Sequence, residues 1–162
     1  MEAIEESMLR ERAFDAVGPP QRWLELRFVD NQTAANLLSI LQPEEYVYGP
    51  VICHQGEDAD EIYFLDRGRV DVVSHDMPGQ AFRIYSYMRH TMLGEMGFVR
   101  RETRSADLIA RGTTVIYTLS RETYEKLEKA RDPSVDALLH LISVTLSDRI
   151  ISANRTIGEL QS

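Results

Sequence analysis

An internal disulfide is excluded at the outset, because Cys53 is the only cysteine among 162 residues. A chain that must fold without cross-links suits a reducing, cytoplasmic compartment. Excess positive charge is also missing: 18 Lys and Arg stand against 26 Asp and Glu, a formal net charge of −8. That balance gives no general pull toward phosphate backbones or anionic lipid. No apolar run approaches the roughly 18 residues that a membrane span needs. The stretch 138–144 is interrupted by His140 and Ser143, and no apolar segment of the secretory-leader kind follows Met1. Histidine is scarce as well, and His54, His75, His90 and His140 form no His-x-His pair. A metal site of the kind carried by some jelly-roll enzymes therefore lacks its ligand set. Internal repeats and low-complexity tracts are absent.

What is present is enough for one domain, since 43% hydrophobic residues can build a single core at this length. The front of the chain reads as helical. Ile4, Met8 and Leu9 suit a short amphipathic helix over 1–14, Gly18-Pro19-Pro20 breaks it, and a second helical stretch covers 22–29. Asp30 or Asn31 is placed to cap a third helix through Ala34, Leu37, Leu38 and Leu41. From Tyr46 to Leu119 the texture changes to short Val, Ile, Tyr and Phe runs cut by glycine, the pattern of an all-β sandwich or barrel. Strands are expected near 45–48, 51–54, 61–65, 69–75, 81–87, 106–110 and 114–119. Ser120 is placed to cap a helix from Arg121 to Ala130, and Asp132-Pro133 starts a last one. Along that last helix Val135, Leu138, Leu139, Ile142, Leu146, Ile150 and Ala153 keep to one face, with Ile157 and Leu160 extending it. Such a stripe buries either against the β domain or, at its near-heptad spacing, against the same helix of a second subunit.

Chemistry concentrates in Leu93-Gly94-Glu95-Met96-Gly97-Phe98-Val99 and the following Thr103-Arg104-Ser105-Ala106. Two glycines around a carboxylate permit a tight turn and close approach to a ligand, and a helix opening at Glu95 would aim backbone N–H groups at an anion. Arg104 can return to the same pocket and hold a phosphate with its planar fork, with Ser105 adding a hydroxyl. Glu95 is left for sugar hydroxyls. The plainer alternative is that Glu95 and Arg104 only pair with each other across a loop.

This segment resembles the phosphate-binding cassette of cyclic-nucleotide-binding domains, as in the catabolite activator protein and the regulatory subunits of protein kinase A. Upstream, Tyr46, Gly49, Ile52, Gln55-Gly56-Glu57, Ala59-Asp60, Tyr63-Phe64-Leu65, Gly68 and Val70 follow that family's strand-and-turn pattern. The resemblance implies a mainly β fold with flanking helices (α+β): a double-Greek-key jelly roll of about eight antiparallel strands, N-terminal helices and two C-terminal helices. It divides the chain into a helical flank over 1–30 and a cyclic-nucleotide-binding domain over 31–162. By the same resemblance, Glu95 binds the ribose 2′-hydroxyl and Arg104 pairs with the cyclic phosphate. Ser105 also contacts the phosphate, and the amides of Met96, Gly97 and Phe98 complete the anion nest. Gly94 and Ala106 belong to the same cassette. The base is covered by the last helix, with Ile142 and Thr145 as candidates. Leu93, Thr103 and the charged Arg100-Arg101-Glu102 depart from the family pattern without removing a phosphate or ribose contact.

The flanks are similar to segments around the cyclic-nucleotide domain at the C-terminus of bacterial SulP-type sulfate transporters, where that domain follows a STAS domain. Some long bacterial glutaminases share that arrangement. The expected function is a cytoplasmic sensor of cAMP or cGMP, with no metal, that passes binding to an attached STAS domain, transporter or enzyme through its C-terminal helix. It would act as the cytoplasmic tail of a membrane protein or as a stand-alone chain, and a homodimer through that helix is the further expected partner. The competing expectation is a ligand-independent jelly-roll assembly module. Only 154–162 follow the long helix, too few residues for a helix-turn-helix, so direct DNA binding is not expected. Catalysis is not expected either, because no second carboxylate or metal set accompanies Glu95 and Arg104 to activate water.

Overall fold

A computed structural model describes Leu24, 30–47, 49–88 and 90–162. The helices expected over 1–14 and 22–29 lie outside the described residues, Leu24 apart. In chain order the elements are α1 (Asn31–Ile40), β1 (Gln42–Tyr46), β2 (Val51–Cys53), β3 (Glu61–Met77), β4 (Gln80–Met88), β5 (Thr91–Leu93), α2 (Glu95–Arg100), β6 (Asp107–Ser120), α3 (Arg121–Lys129) and α4 (Pro133–Gln161). The helix starts follow the side chains that can cap them. Asp30 accepts from Thr33 N at 2.9 Å, Ser120 from Thr123 N at 3.1 Å and Asp132 from Ser134 N at 2.8 Å. Each contact satisfies a first-turn amide that has no helical partner.

All strand pairs are antiparallel, in the order β1-β6-β3-β4, with β2 added to β6 and β5 to β3. The fold is thus mainly antiparallel β with flanking helices, built among the described residues from six strands rather than about eight. The difference has a physical cause. The strands expected at 61–65 and 69–75 are one continuous β3, and those at 106–110 and 114–119 are one β6. Their pairing register shifts between Leu65 and Arg69, where the ribbon bends without breaking. Gly68 makes the bend possible. Its φ is +91°, and a Cβ there would lie 2.5 Å from Thr113 O. The three-residue β5 had no periodicity to announce it.

Burial alternates along the first half of β3 between two cores. Ile62 and Phe64 join Leu37, Leu119, Leu138 and Leu141 under the helices, while Tyr63 and Leu65 join Cys53, Val70, Leu93 and Ile116 inside the roll. With both faces covered, this stretch reads as a continuous apolar run rather than an alternation. The long helix divides in two. Leu138, Leu141 and Ile142 are buried, so its first half packs on the β domain as one of the two expectations had it. Beyond Leu146 only Arg149 is not exposed, and Ile150, Ile157 and Leu160 stand 60%, 52% and 82% accessible. No helix among the described residues is long and apolar enough to cross a membrane.

Candidate functional site

β5, Gly94, α2 and the loop into β6 bring most of the singled-out residues together. Gly94, Glu95, Met96, Gly97, Arg104, Ser105 and Ala106 line one cavity of about 150 Å³. Gly94 is the N-cap of α2 with φ +76°, and a Cβ on it would meet Arg104 Nη1 at 2.5 Å. The absent side chain is what lets the guanidinium pass beneath the turn. Arg104 is 6% exposed. Its Nη1 donates to Gly94 O at 2.9 Å, and its Nη2 donates to Glu61 O at 2.7 Å and to Tyr63 Oη at 3.4 Å. Its Nε is buried without a partner among the described residues. A guanidinium carries five N–H donors, so Nε and one hydrogen on Nη1 remain for an anion.

The backbone around Arg104 is fixed independently of its side chain. Arg104 N donates to Glu57 O at 2.7 Å, and Gly56 N donates back to Arg104 O at 2.9 Å. This zips the Gln55-Gly56-Glu57 turn onto the cassette, which gives the glycine at 56 its place in the pattern. Asp107 tightens the join, accepting from Gln55 N at 2.7 Å and lying 2.7 Å from His75 Nε2. Desolvation works against the ionised Asp107, but those hydrogen bonds and the nearby His75 and His54 hold its carboxyl below the usual range. Arg100 and Arg101 face solvent, paired with Glu102 and Glu125.

Glu95 is 1% exposed. It does not pair with Arg104. Its Oε1 is held by Arg149 Nη1 from the middle of α4, while its Oε2 is buried with no partner among the described residues. Burial pushes the Glu95 carboxyl upward, opposed by the Arg149 cation, its own amide and the more remote Arg104. Arg149 also donates through Nη2 to Met92 O, and its guanidinium lies 4.7 Å from the centroid of the Tyr87 ring.

Three singled-out residues lie elsewhere. The Phe98 amide donates to Gly94 O at 3.3 Å, and its ring packs edge-on to Tyr124 in the core. Of the expected nest, the Met96 and Gly97 positions remain at the cavity. Ile142 is 4% exposed in the core under the helices, about two helical turns before the α4 residue that reaches the cassette. Thr145 lines a separate groove of about 630 Å³ between β4 and the second half of α4. The residue that α4 does bring to the cassette is Arg149, which the sequence reading passed over. A signal for it existed: 142, 145 and 149 fall on one face at helical spacing, and Arg149 is the cation on that face. Cys53 lines the cavity as a buried thiol, and burial pushes its pKa up. Among the described residues no cluster of three His, Cys, Asp or Glu is arranged to hold a metal ion.

Residues 43–131 match the family model of the cyclic nucleotide-binding domain. A cAMP-dependent protein kinase regulatory subunit from Dictyostelium discoideum is 27% identical over 105 residues, 63% of this chain and 32% of that protein. Glutaminase 1 of Bradyrhizobium diazoefficiens is 27% identical over 128 residues, 79% of this chain and 20% of that protein. The chain therefore spans a fifth to a third of the length of these relatives. A solved cyclic nucleotide-binding domain from Methylobacillus flagellatus superimposes with a TM-score of 0.73 at 19% identity, covering 88% of this chain and 87% of that one. That likeness shows a shared fold.

Proposed function

The chain belongs to the cyclic nucleotide-binding domain family, and from that premise we propose that it is a ligand sensor that binds cAMP or cGMP without catalysis. One observation carries the reading. A buried cation with two uncommitted donors, Arg104, and a buried carboxylate with an unpartnered oxygen, Glu95, face one cavity. Buried polar groups are rarely left unpaired in a finished core, and a cyclic phosphate beside a ribose hydroxyl supplies the complementary acceptor and donor. Ser105, exposed at the rim, adds a hydroxyl, and the Met96 and Gly97 amides border the same space. Binding is tested by thermal unfolding of the chain with cAMP and with cGMP. At 100 times its dissociation constant a ligand stabilises the fold by about 2.7 kcal/mol, and one of the two nucleotides is expected to give that rise. A folded protein that responds to neither is instead a jelly-roll assembly module.

The sensor is read as one unit of a longer cytoplasmic arrangement, with its signal passed to an attached STAS domain, transporter or enzyme. The Glutaminase 1 match supports this, because it takes in 79% of this chain and only 20% of that protein. A homodimer is the further partner. Ile150, Ala153, Ile157 and Leu160 repeat at spacings of three and four on the exposed half of α4, the spacing of a two-stranded coiled-coil seam, although Ala153 and Ile157 also border the groove beside β4. Ile150→Asp together with Ile157→Asp is expected to convert a dimer to a monomer in sedimentation while leaving the melting temperature of the β domain unchanged. Identical sedimentation of the two chains would remove the dimer from the account.

A further inference from the structure

The cavity at the cassette is too small for the ligand it is read to take. Pockets for ligands of nucleotide size begin at roughly 300 Å³, and this one measures about 150 Å³. On the far side of Tyr87 and Arg149 lies the groove of about 630 Å³, and both residues line both spaces. Together they form the wall between a compartment that fits a phosphate and part of a sugar and one that fits a base. Tyr87 is part of β4, paired to Val70 of β3. Arg149 is a side chain on a helix, held by the Glu95 carboxylate, Met92 O and the Tyr87 ring.

We propose that Arg149 is a gate built into the nucleotide site. In the unliganded protein its guanidinium, held on Glu95 Oε1, closes the wall beside the free Oε2, and a nucleotide reaches that oxygen by displacing it. The proposal rests on the sensing reading above. The exchange reaches beyond the pocket because Arg149 is the one residue of 147–162 that is not exposed. The ion pair that closes the site is thus also the last attachment of α4 to the β domain. A ligand that competes for Glu95 shifts the helix between attached and released states by its differential affinity for the two. Removing the gate removes a competitor, so its loss strengthens binding, whereas loss of an ordinary ligand contact weakens it.

The test compares the full chain with Arg149→Met by titration with cAMP and cGMP, alongside the arginine side-chain NMR signals of the unsubstituted chain. The Arg149 guanidinium is assigned by its absence from the variant. Arg149→Met is expected to bind the preferred nucleotide at least about tenfold more tightly, a gain of about 1.4 kcal/mol. On saturation of the unsubstituted chain, the Arg149 signal is expected to move to the position of a solvated guanidinium. Weaker binding by the variant, or an Arg149 signal that stays protected in the complex, overturns the gate and makes Arg149 a contact to the ligand. Absence of binding in both folded chains overturns the sensing reading itself, a different result from either.

Discussion

Arg104→Leu is expected to abolish the nucleotide-dependent rise in melting temperature and to weaken binding by a factor of about 100 or more. Truncating one partner of a buried, hydrogen-bonded charge pair costs about 2–5 kcal/mol. Here the guanidinium is 6% exposed and keeps two donors uncommitted beside the cavity. The variant also loses its hydrogen bonds to Gly94 O and Glu61 O, which stitch the cassette turn to β3. A fall in intrinsic stability of about 1–3 kcal/mol is therefore expected from two stranded carbonyls. The two effects separate in calorimetry, where binding is measured at a temperature at which the variant is folded. Arg104→Lys provides the second reading. A point charge can reach an anion but cannot serve two carbonyls and a phosphate together, so binding falls between the two extremes. An Arg104→Leu chain that folds and binds with unchanged affinity would show that the phosphate is held elsewhere.

The largest effect on folding is expected at the bend of β3. Gly68→Ala combines a backbone at φ +91° with a Cβ only 2.5 Å from Thr113 O, 2.6 Å from Thr114 Oγ1 and 2.7 Å from Thr114 Cα. The obstructing atoms belong mostly to the main chain of β6, which pairs with β3 along most of its length and cannot yield locally. Positive φ alone costs a non-glycine residue roughly 1–2 kcal/mol, and the overlap adds to it. A total loss above about 3 kcal/mol is expected, or a melting temperature about 10 °C lower for a domain of this size. Gly79→Ala isolates the backbone contribution, since Gly79 has φ +74° with nothing within 4 Å of the added Cβ. It should cost about 1 kcal/mol. Equal losses at the two glycines would show that the strand bend is not constrained by β6.

The parts of the site visible in the sequence are those whose partners lie close along the chain. Gly94, Glu95, Arg104 and Ser105 fall within one turn, one short helix and one loop, so residue type and spacing alone place them around a shared space. The helix starts at Asp30, Ser120 and Asp132 were visible for the same reason, because a capping side chain bonds an amide two or three residues away. What was not visible depends on distant docking. Glu95 and Arg149 are 54 residues apart, and they meet only because α4 lies across β5 at one particular angle. Ile142 was placed at the base from helical position without that docking, which buries it in the core under the helices, while Arg149, about two turns further on, meets the cassette. The strand count erred in the opposite direction. Gly68 and Gly112 look like breaks in sequence, yet each lies inside a long strand that bends and continues.

The central claim is that the cassette is a working nucleotide site, and isothermal titration of the purified chain with cAMP and with cGMP tests it most directly. The account predicts a saturable isotherm with one nucleotide per chain for at least one of the two, lost in Arg104→Leu. No heat from either nucleotide, or binding that survives in Arg104→Leu, would contradict it.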